Sequence, residues 1–151
     1  MDYFAFSEPK GPQRVAISFP DCPGCETEVP SNADVAALSQ PALVAWLEAA
    51  LLSGNTPNRP RRKARLSGKQ RLHRVSVPLQ LSLKLSLRWS RQDLGLTQAA
   101  LAARLGVRQP QVARLERPGA NLSLRTLERA FSALGLSVSA EVHRMSAAPL
   151  K

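Results

Sequence analysis

The stretch that most constrains the fold lies in the second half of the chain, at residues 94–116, LGLTQAALAARLGVRQPQVARLE. Apolar residues in its first part are spaced as on one face of a helix, at Leu101, Ala102 and Leu105. The hydroxyl of Thr97 can cap the helix start, and Gly106 is typical of a helix end, where positive φ is needed. The apolar spacing resumes after the glycine at Val107, Val112 and Leu115. The stretch therefore predicts two short helices joined by a tight turn.

The pattern extends over residues 91–116 and resembles a known DNA-binding motif. In one-letter code the matching positions are R-x-x-L-G-L-T-Q-x-x-L-A-x-x-L-G-V-x-Q-x-x-V-x-x-L-E. This string is similar to the XRE or lambda-repressor type of helix-turn-helix, whose second helix lies in the major groove of DNA. The alternative is an ordinary helical hairpin with a glycine turn.

The resemblance implies which side chains would contact DNA. Gln98 would hold a phosphate at the start of the first motif helix. Arg114 and Gln111 are the expected base readers, because arginine pairs well with guanine and glutamine with adenine. Arg108 and Arg117 are expected on phosphates. The complete predicted DNA-binding set is Thr97, Gln98, Arg108, Gln109, Gln111, Arg114 and Arg117.

Four positions of the motif bear on its stability. Arg108 stands where the family usually has a capping Ser or Thr. Without that cap, the start of the second helix is expected to be less stable by roughly 1 kcal/mol. Pro110 falls in the first turn, where a missing N–H costs little. The resemblance also implies that Arg91 and Glu116 form a buried ion pair between the helix before the motif and the second motif helix.

The first third of the chain has the spacing of short strands followed by a helix. Residues 3–7 and 14–19 are β-prone runs around a turn-forming stretch, which predicts a β-hairpin, and residues 25–29 predict a third strand. Ser31 or Asn32 is expected to cap the helix that follows. A kink or a break is expected at Pro41. The predicted apolar face of this helix is Val35, Leu38, Trp46, Leu47, Ala50 and Leu51.

This front half is similar to the HicB antitoxin family. The matching residues are Tyr3-x-Ala5, Phe19-Pro20-Asp21-x-Pro23-Gly24-Cys25-x-Thr27, Trp46-Leu47-Glu48, Pro57 and Pro60. The resemblance implies a reduced RNase H-like domain without nuclease activity, whose partner is HicA, a small basic toxin that cleaves mRNA. Pro41 departs from the family helix. The candidate toxin-binding residues are acidic: Asp21, Glu26, Glu28 and Glu48.

The middle of the chain, residues 53–71, is rich in Pro, Gly and Arg and predicts an interdomain linker. Its cationic cluster would either contact DNA phosphates or serve only as a soluble spacer. The members of this cluster are Arg59, Arg61, Arg62, Lys63 and Arg65.

The rest of the chain predicts a strand at residues 72–77 and a helix at residues 79–93, which Pro78 would open. Leucine at every second position from 79 to 87 also fits a strand, but the absence of β-branched residues favours a helix. Such a helix would be apolar on more than one face and would contact a second subunit or the N-terminal domain. Ser123 is expected to cap a helix that Gly135 ends, with a last strand at residues 138–142. The core stripe of that helix would be Leu124, Leu127, Phe131 and Leu134.

The predicted fold class is therefore α+β, in three parts. Residues 1–54 would form the reduced RNase H-like ββ(β)α domain that binds the toxin. Residues 55–71 would form the basic linker. Residues 72–151 would form an all-helical helix-turn-helix domain flanked by short strands.

Charge is distributed unevenly along the chain. Residues 1–55 hold seven acidic and two basic side chains, residues 56–78 hold eight basic and no acidic ones, and residues 79–151 hold eleven basic and four acidic ones. The basic part suits DNA and the acidic part suits a basic protein.

The combined resemblances predict a HicB-like antitoxin that neutralises a HicA-type toxin and represses its own operon. A homodimer through the C-terminal domain and a higher toxin–antitoxin complex are expected. The alternative is a stand-alone repressor whose N-terminal domain senses a ligand or oligomerises.

No catalytic residue, metal site or cofactor is expected. Cys22 and Cys25 lack the further ligands that zinc needs and lie in a predicted turn, which favours buried or half-buried free thiols over metal or redox chemistry. The carboxylates of the front half give no clear set for a two-metal nuclease. No apolar run approaches a membrane span and the start, MDYFAF, lacks the basic residues of a signal peptide. A cytoplasmic location without a membrane partner is expected.

Overall fold

The computed structural model describes residues 1–61 and 68–139. The strands are β1 (Asp2–Pro9), β2 (Arg14–Ser18), β3 (Glu26–Pro30) and β4 (Arg71–Ser76). The helices are α1 (Val35–Leu52), α2 (Leu79–Asp93), α3 (Gln98–Leu105), α4 (Gln109–Glu116) and α5 (Leu124–Ser132). The mixed α+β class is confirmed.

The N-terminal half forms an antiparallel sheet of four strands in the order β3-β2-β1-β4. The predicted hairpin is present as β1 and β2, with Phe6 opposite Ser18, and the predicted third strand pairs with β2. Side chains on a strand alternate between the two faces of the sheet. Tyr3, Ala5 and Ile17 accordingly point to one face, where they are almost completely buried.

Helix α1 covers that buried face of the sheet. Its buried residues recur at helical spacing, at Val35, Ser39, Leu43, Leu47 and Leu51. The predicted helix is therefore present, but its predicted face was partly wrong, because Leu38 is 50% exposed. The predicted cap was also wrong. Asp34, not Ser31 or Asn32, caps the helix by accepting hydrogen bonds from the N–H groups of Ala36 and Ala37, at 3.0 and 3.2 Å.

Pro41 lies inside α1 without dividing it, which corrects the expectation of a break there. A proline in a helix leaves the carbonyl four residues earlier without its usual N–H partner. That carbonyl belongs to Ala37, and both Ala37 and Pro41 are on the exposed side of the helix. Water can hydrogen-bond to the free carbonyl, so the helix tolerates the proline.

Helix α1 is also long and apolar enough to cross a membrane by length and composition, with 18 residues and a mean hydropathy of 1.5. This corrects the expectation that no apolar run approaches that length. The core helix of a soluble protein meets the same criteria, and one side of α1 packs on the sheet with Leu43 and Leu47 fully buried.

The strand predicted at residues 72–77 is present as β4, but it does not flank the helix-turn-helix. It pairs along its whole length with β1, Asp2 opposite Ser76 and Ser7 opposite Arg71. The sheet of the N-terminal half is therefore completed by a strand that follows α1 by 18 residues. Local sequence predicts that a segment is extended, whereas its pairing partner depends on contacts distant in sequence.

Helix α2 has the predicted bounds and joins two hydrophobic cores. Leu81, Leu85 and Trp89 belong to the core between the sheet and α1. Leu87 belongs to a second core, with residues of α3, α4 and α5, and Leu83 packs against it. The sequence predicted that α2 is apolar on more than one face and that it contacts the N-terminal domain, and both predictions are confirmed. Both halves of the chain are thus built on one helix.

The connecting segment, residues 54–61, is packed between the two halves. The hydroxyl of Tyr3 donates to the carbonyl of Asn58 at 2.6 Å, and the indole N–H of Trp89 donates to the carbonyl of Pro57 at 2.8 Å. Arg88 donates to the hydroxyl of Thr56 at 2.9 Å. These bonds satisfy polar groups at the ends of buried side chains. Of the predicted linker, residues 62–67 lie outside the described residues.

Helix α5 begins at the predicted cap, where the Ser123 hydroxyl accepts from the N–H of Thr126 at 3.2 Å. Leu127, Phe131 and Leu134 are buried as predicted, but Leu124 is 54% exposed. The helix proper ends at Ser132, before Gly135. Residues 138 and 139 are not in a strand, and residues 140–142 of the predicted last strand lie outside the described residues.

Candidate nucleic-acid interface

Helices α3 and α4 are joined by the tight turn that the sequence predicts. The Thr97 hydroxyl accepts from the N–H of Ala100 at 3.0 Å and caps α3. Gly106 has a φ of 66°, a left-handed conformation that side chains disfavour. It lets the N–H of Val107 return to the carbonyl of Ala102 at 3.0 Å, and the chain then enters α4.

Helix α4 has one buried side and one exposed side. Val112 and Leu115 are buried in the second core, as predicted, and so is Glu116. The side chains of the opposite surface are polar or cationic and exposed: Arg108, Gln109, Gln111, Arg114 and Arg117. Arginine and glutamine side chains are the hydrogen-bond donors that proteins use to contact base edges in the major groove and the phosphates beside it, so this exposed side of α4 has a composition suited to DNA.

The start of α4 shows how the helix manages without a capping hydroxyl. An arginine side chain has no acceptor, so Arg108 cannot cap the helix itself. Instead, the side-chain carbonyl of Gln111 accepts from the backbone N–H of Arg108 at 2.9 Å. Pro110 lies in the first turn, as predicted. Gln111 thus stabilises the helix start through its oxygen, and its amide N–H groups remain available to meet DNA in this conformation.

Arg91 and Glu116 form a buried, two-point ion pair between α2 and α4. Arg91 Nε lies 2.6 Å from Glu116 Oε1, and Arg91 Nη2 lies 2.8 Å from Oε2. The two side chains are 9% and 1% exposed. The remaining end of the guanidinium donates to the carbonyl of Leu96 at 2.7 Å. The pair therefore holds α2, the loop before α3 and the end of α4 together.

A chain of amides continues from this ion pair to the start of α4. The Gln98 amide N–H donates to Glu116 Oε2 at 3.0 Å. The Gln98 oxygen accepts from the side-chain N–H of Gln109 at 2.8 Å. Gln98, predicted as a phosphate contact, thus orients Gln109 in this structure, and the free oxygen of Gln109 can accept a hydrogen bond from a base.

Arg114 lines a cavity that sequence reasoning missed. The cavity has a volume of about 500 Å³ and lies between α4 and the start of α5. Asn121, Thr126 and Arg129 line it together with Gln111 and Arg114. These three residues lie in the loop after α4 and in α5, so the spacing of the two-helix motif gives no indication of them. They extend the polar surface beside α4.

Two members of the basic cluster, Arg59 and Arg61, are engaged within the chain. The guanidinium of Arg59 pairs with Asp93 and lies 5.5 Å from the centre of the Trp89 ring. Arg61 Nε lies 3.1 Å from Asp21 Oδ1, and its backbone N–H donates to Oδ2 at 2.9 Å. These contacts favour a structural role for both arginines over contact with DNA. Arg62, Lys63 and Arg65 lie outside the described residues.

The four candidate toxin-binding residues do not share one surface. Asp21 is buried and bound to Arg61. Glu48 lies on α1, on the other side of the sheet. Glu26 and Glu28 lie together on the uncovered face of the sheet, and the pKa of Glu28 is lowered chiefly by its hydrogen bond from Lys10. Only Glu26 and Glu28 thus form a common surface.

The two cysteines are free and buried in the turn between β2 and β3. The turn is closed by backbone hydrogen bonds, with the N–H of Cys25 donating to the carbonyl of Cys22 at 2.9 Å. Burial raises the pKa of Cys22 to about 12 and that of Cys25 to about 11. Within residues 1–61 and 68–139, no group of three or more His, Cys, Asp or Glu is placed to hold a metal ion.

Cys22 and Cys25 are therefore expected to be unreactive toward a thiol reagent at pH 8, because only the thiolate reacts and burial disfavours it. Both should react fully in denaturant. The folded state favours the protonated thiols, so their contribution to the free energy of unfolding is fully present below the ordinary thiol pKa. That contribution is lost as the pH rises from the ordinary thiol pKa toward the raised pKa values of the folded protein. Counting the modified thiols by mass spectrometry checks this, and rapid labelling of the native protein would contradict it.

Comparison with known proteins supports the geometry of the second half. Residues 87–140 match a family model described as helix-turn-helix. A 61-residue stretch is 39% identical to an uncharacterized HTH-type transcriptional regulator from Haemophilus influenzae. The match covers 40% of this chain and 62% of the relative, so the chain spans less than two thirds of that relative's length. Residues 87–140 therefore form a helix-turn-helix domain that resembles the XRE type.

Proposed function

We propose that this chain is a HicB-like antitoxin, a non-enzymatic cytoplasmic protein that represses its own operon and neutralises a HicA-like toxin. The observation that carries the proposal is that one helix, α2, joins a cationic helix-turn-helix to a sheet domain whose residues 1–55 hold seven acidic and two basic side chains. Arg91 ties it to the helix-turn-helix, and Leu85 anchors it in the core of the sheet domain. A DNA-binding unit needs positive charge, and a unit that covers a basic toxin needs negative charge.

The DNA-binding part follows from the exposed surface of α4. Two copies of the chain, joined through their C-terminal domains, would place two such helices in successive major grooves of an operator. Binding that depends on many phosphate contacts falls steeply with salt. We propose this homodimer as the repressing form.

The toxin-binding part rests on the N-terminal half. Its strands and its helix occur in the order β1, β2, β3, α1, and β4 then extends the sheet. This arrangement is compatible with the reduced RNase H-like fold that the HicB resemblance implies. The proposed role of the domain is to bind the toxin without cleaving nucleic acid.

A second candidate function is a stand-alone repressor that senses a small ligand. It is favoured by a cavity of about 350 Å³ between α1, α2 and the loop after α4, lined by Glu48 and Lys84. Lys84 is buried and donates to the carbonyl of Ala120 at 2.7 Å, and burial lowers its pKa. A ligand there would contact the loop that follows α4.

Co-expression with the small reading frame beside this gene tests the antitoxin proposal. We expect the two products to co-purify and this chain to relieve the growth arrest that the other causes alone. A chain that binds DNA from its own upstream region but neither binds nor neutralises the neighbouring product would favour the stand-alone repressor. The variant Glu128→Ala, on the exposed side of α5, serves as a control that should behave as the wild type.

A further inference from the structure

The sheet of the N-terminal half has one covered and one uncovered face. Helix α1 packs against the face that contains Tyr3 and Ile17. No helix or strand among residues 1–61 and 68–139 packs on the opposite face. Phe4 and Phe6 are only half-buried there, and Leu72, directly opposite Phe6, is 39% exposed. Adjacent aromatic and aliphatic side chains on an uncovered sheet mark a surface for a partner.

The strand register forms a groove on this uncovered face. Small residues of the central strand β2, Ala16 and Ser18, make its floor. One wall is Phe6 and Glu8 of β1, and the other is Glu26 and Glu28 of β3. Two strand spacings separate the walls by about 10 Å, enough for one extended side chain between them. The cavity has a volume of about 400 Å³.

The charges of the groove select the occupant. Glu28 is already paired with Lys10 and lies 3.3 Å from Arg14. Glu8 and Glu26, on opposite walls, are exposed and make no ion pair with any described residue. A cation between them would gain two carboxylates and the face of the Phe6 ring. Arginine suits such a place because its planar group pairs with carboxylates and stacks on aromatic rings.

We infer that this groove is the docking surface for a basic protein partner, which inserts an arginine side chain between Glu8 and Glu26 over the Phe6 ring. The stem of that side chain lies over Ala16 and Ser18, and other apolar residues of the partner cover Phe4 and Leu72. The inference rests on the proposed function, since the basic toxin is the partner. It places toxin binding on the uncovered face of the sheet, away from Asp21 and Glu48.

Two variants test the groove in different ways. Glu26→Lys reverses the charge of one wall, and Ala16→Trp fills the floor with a side chain that strands accommodate well. The matched control is Glu128→Lys, which changes the net charge equally on exposed α5. Affinity for the co-expressed neighbouring basic protein is measured by titration calorimetry, after thermal melting and DNA binding have shown that each variant is folded.

We expect each groove variant to bind the basic protein at least about ten-fold more weakly and the control to bind within about two-fold of wild type. Equal affinity of wild type and both groove variants would overturn the inference while leaving the antitoxin proposal standing. Failure of the wild type itself to bind would refute the proposed function and the inference together. If the groove variants instead abolish self-association of the chain alone, the occupant is a second copy, which also overturns the inference.

Discussion

We expect Glu116→Ala to lower the free energy of unfolding by about 3 kcal/mol, because it leaves the buried charge of Arg91 without its partner. Arg91 would keep only its hydrogen bond to the carbonyl of Leu96. Small domains have total stabilities of about 5–15 kcal/mol, so this loss would be a large fraction. The substitution also removes the acceptor of Gln98, and with it the orientation of Gln109. DNA affinity should therefore fall even under conditions where the variant is folded.

Urea unfolding of wild type and variant measures this effect. Glu128→Ala, an exposed glutamate on α5, is the matched control and should change stability by less than about 0.5 kcal/mol. A double variant, Arg91→Met with Glu116→Leu, should recover most of the loss, because an apolar pair of similar volume leaves no buried charge. An unchanged urea midpoint for Glu116→Ala would contradict the role given to the ion pair.

The second large effect concerns helix α2. Leu85 and Leu87 are both fully buried, Leu85 in the core with the sheet and Leu87 in the core with the motif helices. Each Leu→Ala substitution is expected to destabilise the protein by about 2–5 kcal/mol through lost burial and an unfilled cavity. Since one helix completes both cores, we expect either substitution to shift the unfolding of both halves together.

Two probes distinguish coupled from independent unfolding. Tryptophan fluorescence follows the first core, because Trp89 lies in it and Trp46 packs against it, and DNA binding follows the helix-turn-helix. Leu79→Ala is the control on the same helix, because Leu79 is 68% exposed. If Leu87→Ala shifts the loss of DNA binding to lower urea but leaves the fluorescence transition in place, α2 does not couple the two halves.

Sequence predicted the second half well because its signals are local. Thr97 and Gly106 act at the ends of their own helix, and the bounds of α2 follow from Pro78 and the apolar spacing. The pairing of Arg91 with Glu116 came from family resemblance. The exposure of Leu38 and Leu124 was missed, because helical spacing marks an apolar stripe but not which of its edges meets solvent.

The remaining differences are contacts between residues distant in sequence. The pairing of β4 with β1 joins segments about 70 residues apart, which no local pattern encodes. Asn58 and Pro57 lie in a stretch of linker-like composition, yet their carbonyls satisfy Tyr3 and Trp89. The link from Gln98 to Gln109 joins two amides that the family pattern assigns separately to DNA.

The most direct test of the account is the affinity of Arg114→Ala for the DNA immediately upstream of this gene, compared with wild type over a range of salt. Loss of a base-reading arginine should weaken binding by about 1–3 kcal/mol. The control, Arg74→Ala, removes an arginine that is 71% exposed on the sheet and should bind as wild type does. Wild-type affinity should fall steeply with salt. Unchanged binding by Arg114→Ala, or a flat response to salt, would contradict the assignment of α4 as the DNA-reading helix.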